Sequence, residues 1–163
     1  MKRSGNRGCT LASITNGSTV NGDGIRTVIW FQGCNHNCKG CHSPHTHNIY
    51  DGTFYSNTDI ITAIKSNLTF IDGITISGGD PLAQPEQLKE LLLNIREELP
   101  RIHIWLWTGF SFAHVKQYFP FVLNLVDTLV DGVFIEALKS DKRHVGSSNQ
   151  MVRHKYKGWE EDE

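Results

Sequence analysis

Arg26-Thr27-Val28-Ile29-Trp30-Phe31-Gln32-Gly33-Cys34-Asn35-His36-Asn37-Cys38-Lys39-Gly40-Cys41 is the stretch on which the fold turns. Its first six residues are rich in β-branched and aromatic types and read as a buried strand that Gly33 ends. Three cysteines follow directly. Other strand-like runs stop in the same way. Gly73-Ile74-Thr75-Ile76-Ser77 meets Gly78-Gly79-Asp80-Pro81, Ile102-His103-Ile104-Trp105-Leu106-Trp107 meets Thr108-Gly109, and Thr128-Leu129-Val130 meets Asp131-Gly132. Glycine and proline at such points impose special turns.

Helical spacing fills the intervals. Asn57-Thr58 are plausible caps for a run through Ile60, Ile61, Ile64 and Leu68, and Pro85 opens a helix with Leu88, Leu91, Leu92, Ile95 and Leu99 on one face. Ser111 caps a short helix that stops before Pro120. Strands alternating with helices predict right-handed crossovers and an α/β fold with a mainly parallel sheet, so the unusual strand ends share one edge. A closed eightfold barrel takes roughly 250 residues. The 163 residues here allow only an open or partial (βα) barrel.

The chain reads as one domain over 1–163, with a cysteine loop at 33–45 and a polar C-terminal segment at 139–163 that ends in the solvated run Glu160-Glu161-Asp162-Glu163. Sixteen Lys and Arg against 17 Asp and Glu leave a net charge of −1. That balance argues against a general nucleic-acid or anionic-membrane binder. No apolar run is long enough for a membrane span and Met1–Asn6 leads into no signal-like segment, so a cytoplasmic location is expected. In a reducing compartment, cysteines are ligands or catalysts more often than disulfides.

Cys34, Cys38 and Cys41 form a C-x3-C-x2-C loop whose thiolates can converge on one metal centre. Structural zinc needs a fourth ligand, for which Cys9, His36 or His42 is available. A cubane 4Fe-4S cluster takes one ligand per iron, and with three cysteines one iron stays open to a substrate molecule. A zinc-binding interaction module and a plain electron carrier are therefore alternatives to an enzyme, although a carrier would need a fourth thiolate.

The cysteine loop after a first strand resembles the signature of the radical S-adenosylmethionine enzymes. Asn21-Gly22-Asp23-Gly24-Ile25-Arg26, Ser77-Gly78-Gly79-Asp80-Pro81-Leu82, Ile104-Trp105-Leu106-Trp107-Thr108-Gly109-Phe110, Val130-Asp131-Gly132 and Gly146-Ser147-Ser148-Asn149-Gln150 extend the resemblance, in order from about residue 11 to 152, to the glycyl-radical activating enzymes. The short chain and Gly40 before the third cysteine are similar to the members that act on anaerobic ribonucleoside-triphosphate reductase. The loop Cys41-His42-Ser43-Pro44-His45-Thr46-His47 and Asp23 depart from the usual residues of those members, which bears on packing and partner contact.

The resemblance implies an oxidoreductase in which Cys34, Cys38 and Cys41 hold the cluster and S-adenosylmethionine binds the open iron. Ser77, Gly78, Gly79 and Asp80 would border the methionyl group, and Thr108 and Gly109 the ribose or methionyl side. Asp131 would face the cofactor or a cation, and Asn35, His36 and Gly40 belong to the cofactor side of the loop. Asn21, Gly22, Asp23 and Gly24, with Asn149 and Gln150, would form the cleft for the partner's glycine loop. The histidines at 36, 42, 45 and 47 read as solvated or partner-facing, and Cys9 as a spare thiol. The implied partners are the reductase and a flavodoxin or ferredoxin-type electron donor. An activase of another glycyl-radical protein, or a small-molecule enzyme of the same class, is the runner-up.

Overall fold

The computed structural model describes residues 7–160. Seven strands make one mixed sheet: β1 (Gly8–Ser18), β2 (Arg26–Phe31), β3 (Thr53–Ser56), β4 (Gly73–Gly78), β5 (His103–Thr108), β6 (Thr128–Asp131) and β7 (Met151–His154), in the order β3-β1-β2-β4-β5-β6-β7. The central pairs β2·β4, β4·β5 and β5·β6 are parallel. The flanking pairs β1·β3, β1·β2 and β6·β7 are antiparallel. The expectation of a parallel sheet thus holds for the centre, while both margins run the other way. Among the described residues no pairing joins β3 to β7, so the sheet has two open edges.

Among the described residues four α-helices connect it: α1 (Asn57–Ser66), α2 (Pro85–Glu98), α3 (Phe112–Tyr118) and α4 (Pro120–Leu125). Alternation along the strands sends Ile29, Phe31, Ile74, Ile76, Ile104, Leu106 and Leu129 to one face, where they pack against α1 and α2 through Ile60, Ile64, Leu88, Leu91, Leu92 and Ile95. Each such side chain contributes about 1.5–3 kcal/mol on burial, so docking rather than helix propensity holds these helices. The cap of α1 is Ser56, whose Oγ accepts from Asp59 N at 3.0 Å, and Asn57 is a buried helical residue instead. The helix also stops short of Leu68, which is exposed.

The other face carries Trp105, Val130, Val145 and Val152 with Trp107 against them. Arg26 lies at its base, 2% exposed, donating to Thr75 Oγ1, Ile74 O, His103 O and Asp23 O. Those acceptors tie the 19–25 loop to the starts of β4 and β5. Burial pulls the guanidinium down to about 10, partly offset by Asp23, Asp72 and Asp127. The polar C-terminal segment contributes β7, and of the run 160–163 read as a solvated tail, residues 161–163 lie outside the described residues. No helix among the described residues is long and apolar enough to cross a membrane.

Candidate functional site

Because β2, β4, β5 and β6 run parallel, their C-terminal ends meet at one edge. Gly33 N donates to Thr46 O at 2.6 Å and Cys34 N to His47 O at 3.0 Å, which closes the base of the cysteine loop. Gln32, buried at that base, donates from Nε2 to His45 O and Asn48 O. The loop's 42–47 arm is therefore built into the fold. Asn37 and Gly40 adopt positive φ within the loop, at 52° and 74°. Cys41 Sγ accepts from Ser43 N and lies 3.4 Å from His47 Nε2. Burial pushes the Cys34 thiol up, against a lowering contribution from the His36 backbone N–H.

Opposite the loop stands the end of β4. Gly79 N donates to Phe31 O and Asp80 N to Gly33 O, so this turn is laced to the residues that precede Cys34. Gly78 has φ 124°, and a Cβ there would run into Phe31 backbone atoms, while one on Gly79 would meet Gly33 O. Both positions demand glycine for close backbone approach. Asp80 is 1% exposed and accepts from Leu82 N, Thr108 Oγ1, Gly109 N and His36 Nε2, the last at 2.6 Å. That bond to Asp80 is the main cause of a raised His36 pKa, with burial opposing it. His36 is half-buried rather than solvated, contrary to expectation.

A cleft of about 300 Å³ lies between these elements. Cys34, Cys38 and Cys41 line it with His36, Ser77, Gly78, Gly79, Thr108 and Gly109, and Asn21, Gly132 and Gln150 border it. Among the described residues no three Cys, His, Asp or Glu side chains close on a single ion. Asn35 is exposed and Gly40 packs by Glu136, and neither lines the cleft. Asp131 is also turned elsewhere: Oδ2 accepts from Phe112 N and Oδ1 from Arg153 Nε, leaving Gly132 as that strand's contribution.

Around Asn21, Gly22 packs on Arg26 and Trp105, Gly24 on Asp72, and Asp23 Oδ1 meets His144 Nε2 at 3.1 Å. At the far wall, Gln150 Oε1 accepts from Gly146 N and Ser147 N while its Nε2 donates to Gly132 O; Asn149 Nδ2 donates to Val133 O. These amides bracket the wall. Trp107, which the alternating β5 offers as core or cleft wall, lines the cleft, and so do Trp30 and Phe134, for which the sequence offers no such reading; β2 and β5 put both Trp on the face opposite the helices. Cys9 lies in the core, 1% exposed, with its thiol pushed up to about 12 by burial and Glu90.

Residues 20–153 match the family described as 4Fe-4S single cluster domain. The chain is 36% identical over 136 residues to the anaerobic ribonucleoside-triphosphate reductase-activating protein of Enterobacteria phage T4, covering 82% of this chain and 86% of that protein. It is 35% identical over 142 residues to the protein of that name from Escherichia coli K12, covering 83% and 92%, and 32% identical over 145 residues to the one from Haemophilus influenzae, covering 85% and 92%. In fold it is similar to QueE from Escherichia coli, with a TM-score of 0.51 and 17% identity over 65% of this chain and 54% of that one. On the strength of these relatives and of the match that spans the cysteine loop, the chain belongs to the family of anaerobic ribonucleoside-triphosphate reductase-activating proteins.

Proposed function

We propose that this chain is a radical S-adenosylmethionine oxidoreductase, a single domain built as a partial (βα) barrel, that activates anaerobic ribonucleoside-triphosphate reductase. The observation that carries the reading is the joint placement of Cys34, Cys38 and Cys41 with the ends of β4, β5 and β6 around one cleft, in a chain whose relatives bear that activity in their names. The donor set fits a 4Fe-4S cluster. A cubane takes one thiolate per iron, and Cys34, Cys38 and Cys41 all line the one cleft. Cys34, Cys38 and Cys41 would hold such a cluster and leave one iron open for S-adenosylmethionine.

When bound, the cluster and S-adenosylmethionine supply one-electron cleavage of the sulfonium and a carbon radical able to take hydrogen from a glycine of the reductase. The chain's own residues orient and shield. Gly78 and Gly79 present backbone to the cleft beside Ser77, and Thr108 and Gly109 form the adjoining wall. Trp30, Trp107 and Phe134 exclude water, which protects a reactive species from side reactions. At about 300 Å³ the cleft is at the lower end for one small-molecule site, and in this reading the hydrogen donor is a glycine of the partner protein, brought to the cleft on the side of Asn21 and Gln150. An external donor of flavodoxin or ferredoxin type supplies the electron.

Anaerobic reconstitution with iron and sulfide, followed by low-temperature EPR with and without S-adenosylmethionine, tests the reading. The expected result is a reduced 4Fe-4S signal that changes on adding the cofactor, then a glycyl radical on the reductase. Stoichiometric zinc without a signal would make the loop a structural clip.

A further inference from the structure

The motif residues Asp80, Thr108, Gly109 and Phe110 fall on two different strand ends, and the cofactor reading gives no reason for the set as a whole. Their geometry supplies one. The carboxylate of Asp80 is enclosed by Leu82 N, Thr108 Oγ1 and Gly109 N, and the remaining approach to Oδ2 is taken by His36 Nε2 at 2.6 Å. The imidazole lies edge-on to Phe110, with ring centroids 4.7 Å apart at 73°. It also packs closely against Gly109, where a Cβ would sit 2.6 Å from His36 Cδ2 and 2.7 Å from Nε2. Phe110 is held in turn by stacking on His114 and by contact with Phe119. A buried carboxylate with every approach filled has no capacity for a ligand ammonium. It is a socket.

We propose that His36 is a positioning residue: seated in the socket of Asp80, Gly109 and Phe110, it sets the Cys34–Cys38 half of the loop against the Gly78–Gly79 edge and so fixes the distance from cluster to methionyl site. This rests on the proposed function, which makes those two places the two halves of one cofactor site. Asp80 N bonded to Gly33 O anchors the start of the loop to the same turn, and His36 anchors its middle, between two thiols. Anchoring of this kind matters because a ligand's bonding partners commonly change affinity or activity 10–100-fold, roughly, when removed.

The test uses full-length protein and three variants. His36→Leu keeps volume without a donor, His36→Gln keeps a donor at the Nε2 reach, and Gly109→Ala evicts the ring from the opposite side. Hydrogen exchange of the cluster-free protein is read for residues 34–41 against α2 as a control. Iron content and the S-adenosylmethionine dependence of the EPR signal are read after reconstitution. The Leu and Ala variants are expected to exchange faster only in the loop, to retain iron, and to need about tenfold or more S-adenosylmethionine for the spectral change, with Gln close to wild type. Exchange and cofactor response unchanged in both Leu and Ala overturn the proposal, as does outright loss of iron from His36→Leu, which would make His36 part of cluster binding itself. A wild-type cluster indifferent to S-adenosylmethionine overturns the activase reading instead, and the loop exchange then decides the socket alone.

Discussion

The thiols of this chain occupy two settings, Cys9 in the apolar core and Cys34, Cys38 and Cys41 along the cleft. Cys9 lies in β1 inside the apolar core, where desolvation first and Glu90 second push its thiol from 9.0 up to about 12. A raised folded-state value means that the folded protein keeps a proton the unfolded chain gives up above pH 9. The stability this provides is complete below pH 9 and is lost as pH rises toward 12, by up to about 1.4 kcal/mol per pH unit. Cys9→Ala should therefore flatten the alkaline limb of stability measured by urea unfolding, while leaving reconstituted iron unchanged. An equally steep limb in the variant would show that Cys9 ionises freely. This division was legible from spacing, because Cys9 stands far from the three clustered cysteines. The seating of His36 was not legible, since its partners Asp80 and Gly109 are 44 and 73 residues away in sequence and no periodicity links them.

The elements that could be read in advance were those buried on both faces or on a clear helical stripe. β2 and β5 are near-continuous apolar runs, as central parallel strands are, while β4 alternates Ile74 and Ile76 with Thr75 and Ser77 and β6 is a short run buried throughout. β1, β3, β7 and α4 were missed for physical reasons. β1 carries Asn16 and Gly17 and two register shifts, with mainly Cys9 and Leu11 contributing core. β3 and β7 are four residues each, too short for a pattern, and α4 starts at the Pro120 that ends the previous run. The motif Gly146-Ser147-Ser148-Asn149-Gln150 left two readings open from the sequence, the cleft for the partner's glycine loop or bonding to nearby backbone. Gln150 satisfies two backbone N–H groups and one carbonyl across the 132–147 loop. Gln150→Leu should cost about 1–3 kcal/mol, since those groups lose their partner, and should speed hydrogen exchange in 132–148 while α2 stays protected. Unchanged exchange there would return Gln150 to a purely cleft-lining role.

At the scale of the molecule, the parallel centre places chemistry at one edge, and the antiparallel margins complete the sheet around it. β7 does the more demanding part. It pairs with β6 along Thr128↔His154 to Asp131↔Met151, adds Val152 to the second apolar cluster, and brings Arg153 to the buried carboxylate of Asp131. Breaking a buried ion pair by removing one partner costs about 3–5 kcal/mol, and whole-domain stabilities are about 5–15 kcal/mol. A chain that stops after Gln150 loses that pair, the edge hydrogen bonds and Val152 together. It should fail to unfold cooperatively in urea and should not retain iron after reconstitution. A chain that stops after Glu160 keeps all three features and should match the full length in both measurements. If the shorter chain folded and held a cluster, the sheet up to β6 would be sufficient and the residues from Met151 onward would be dispensable to the site.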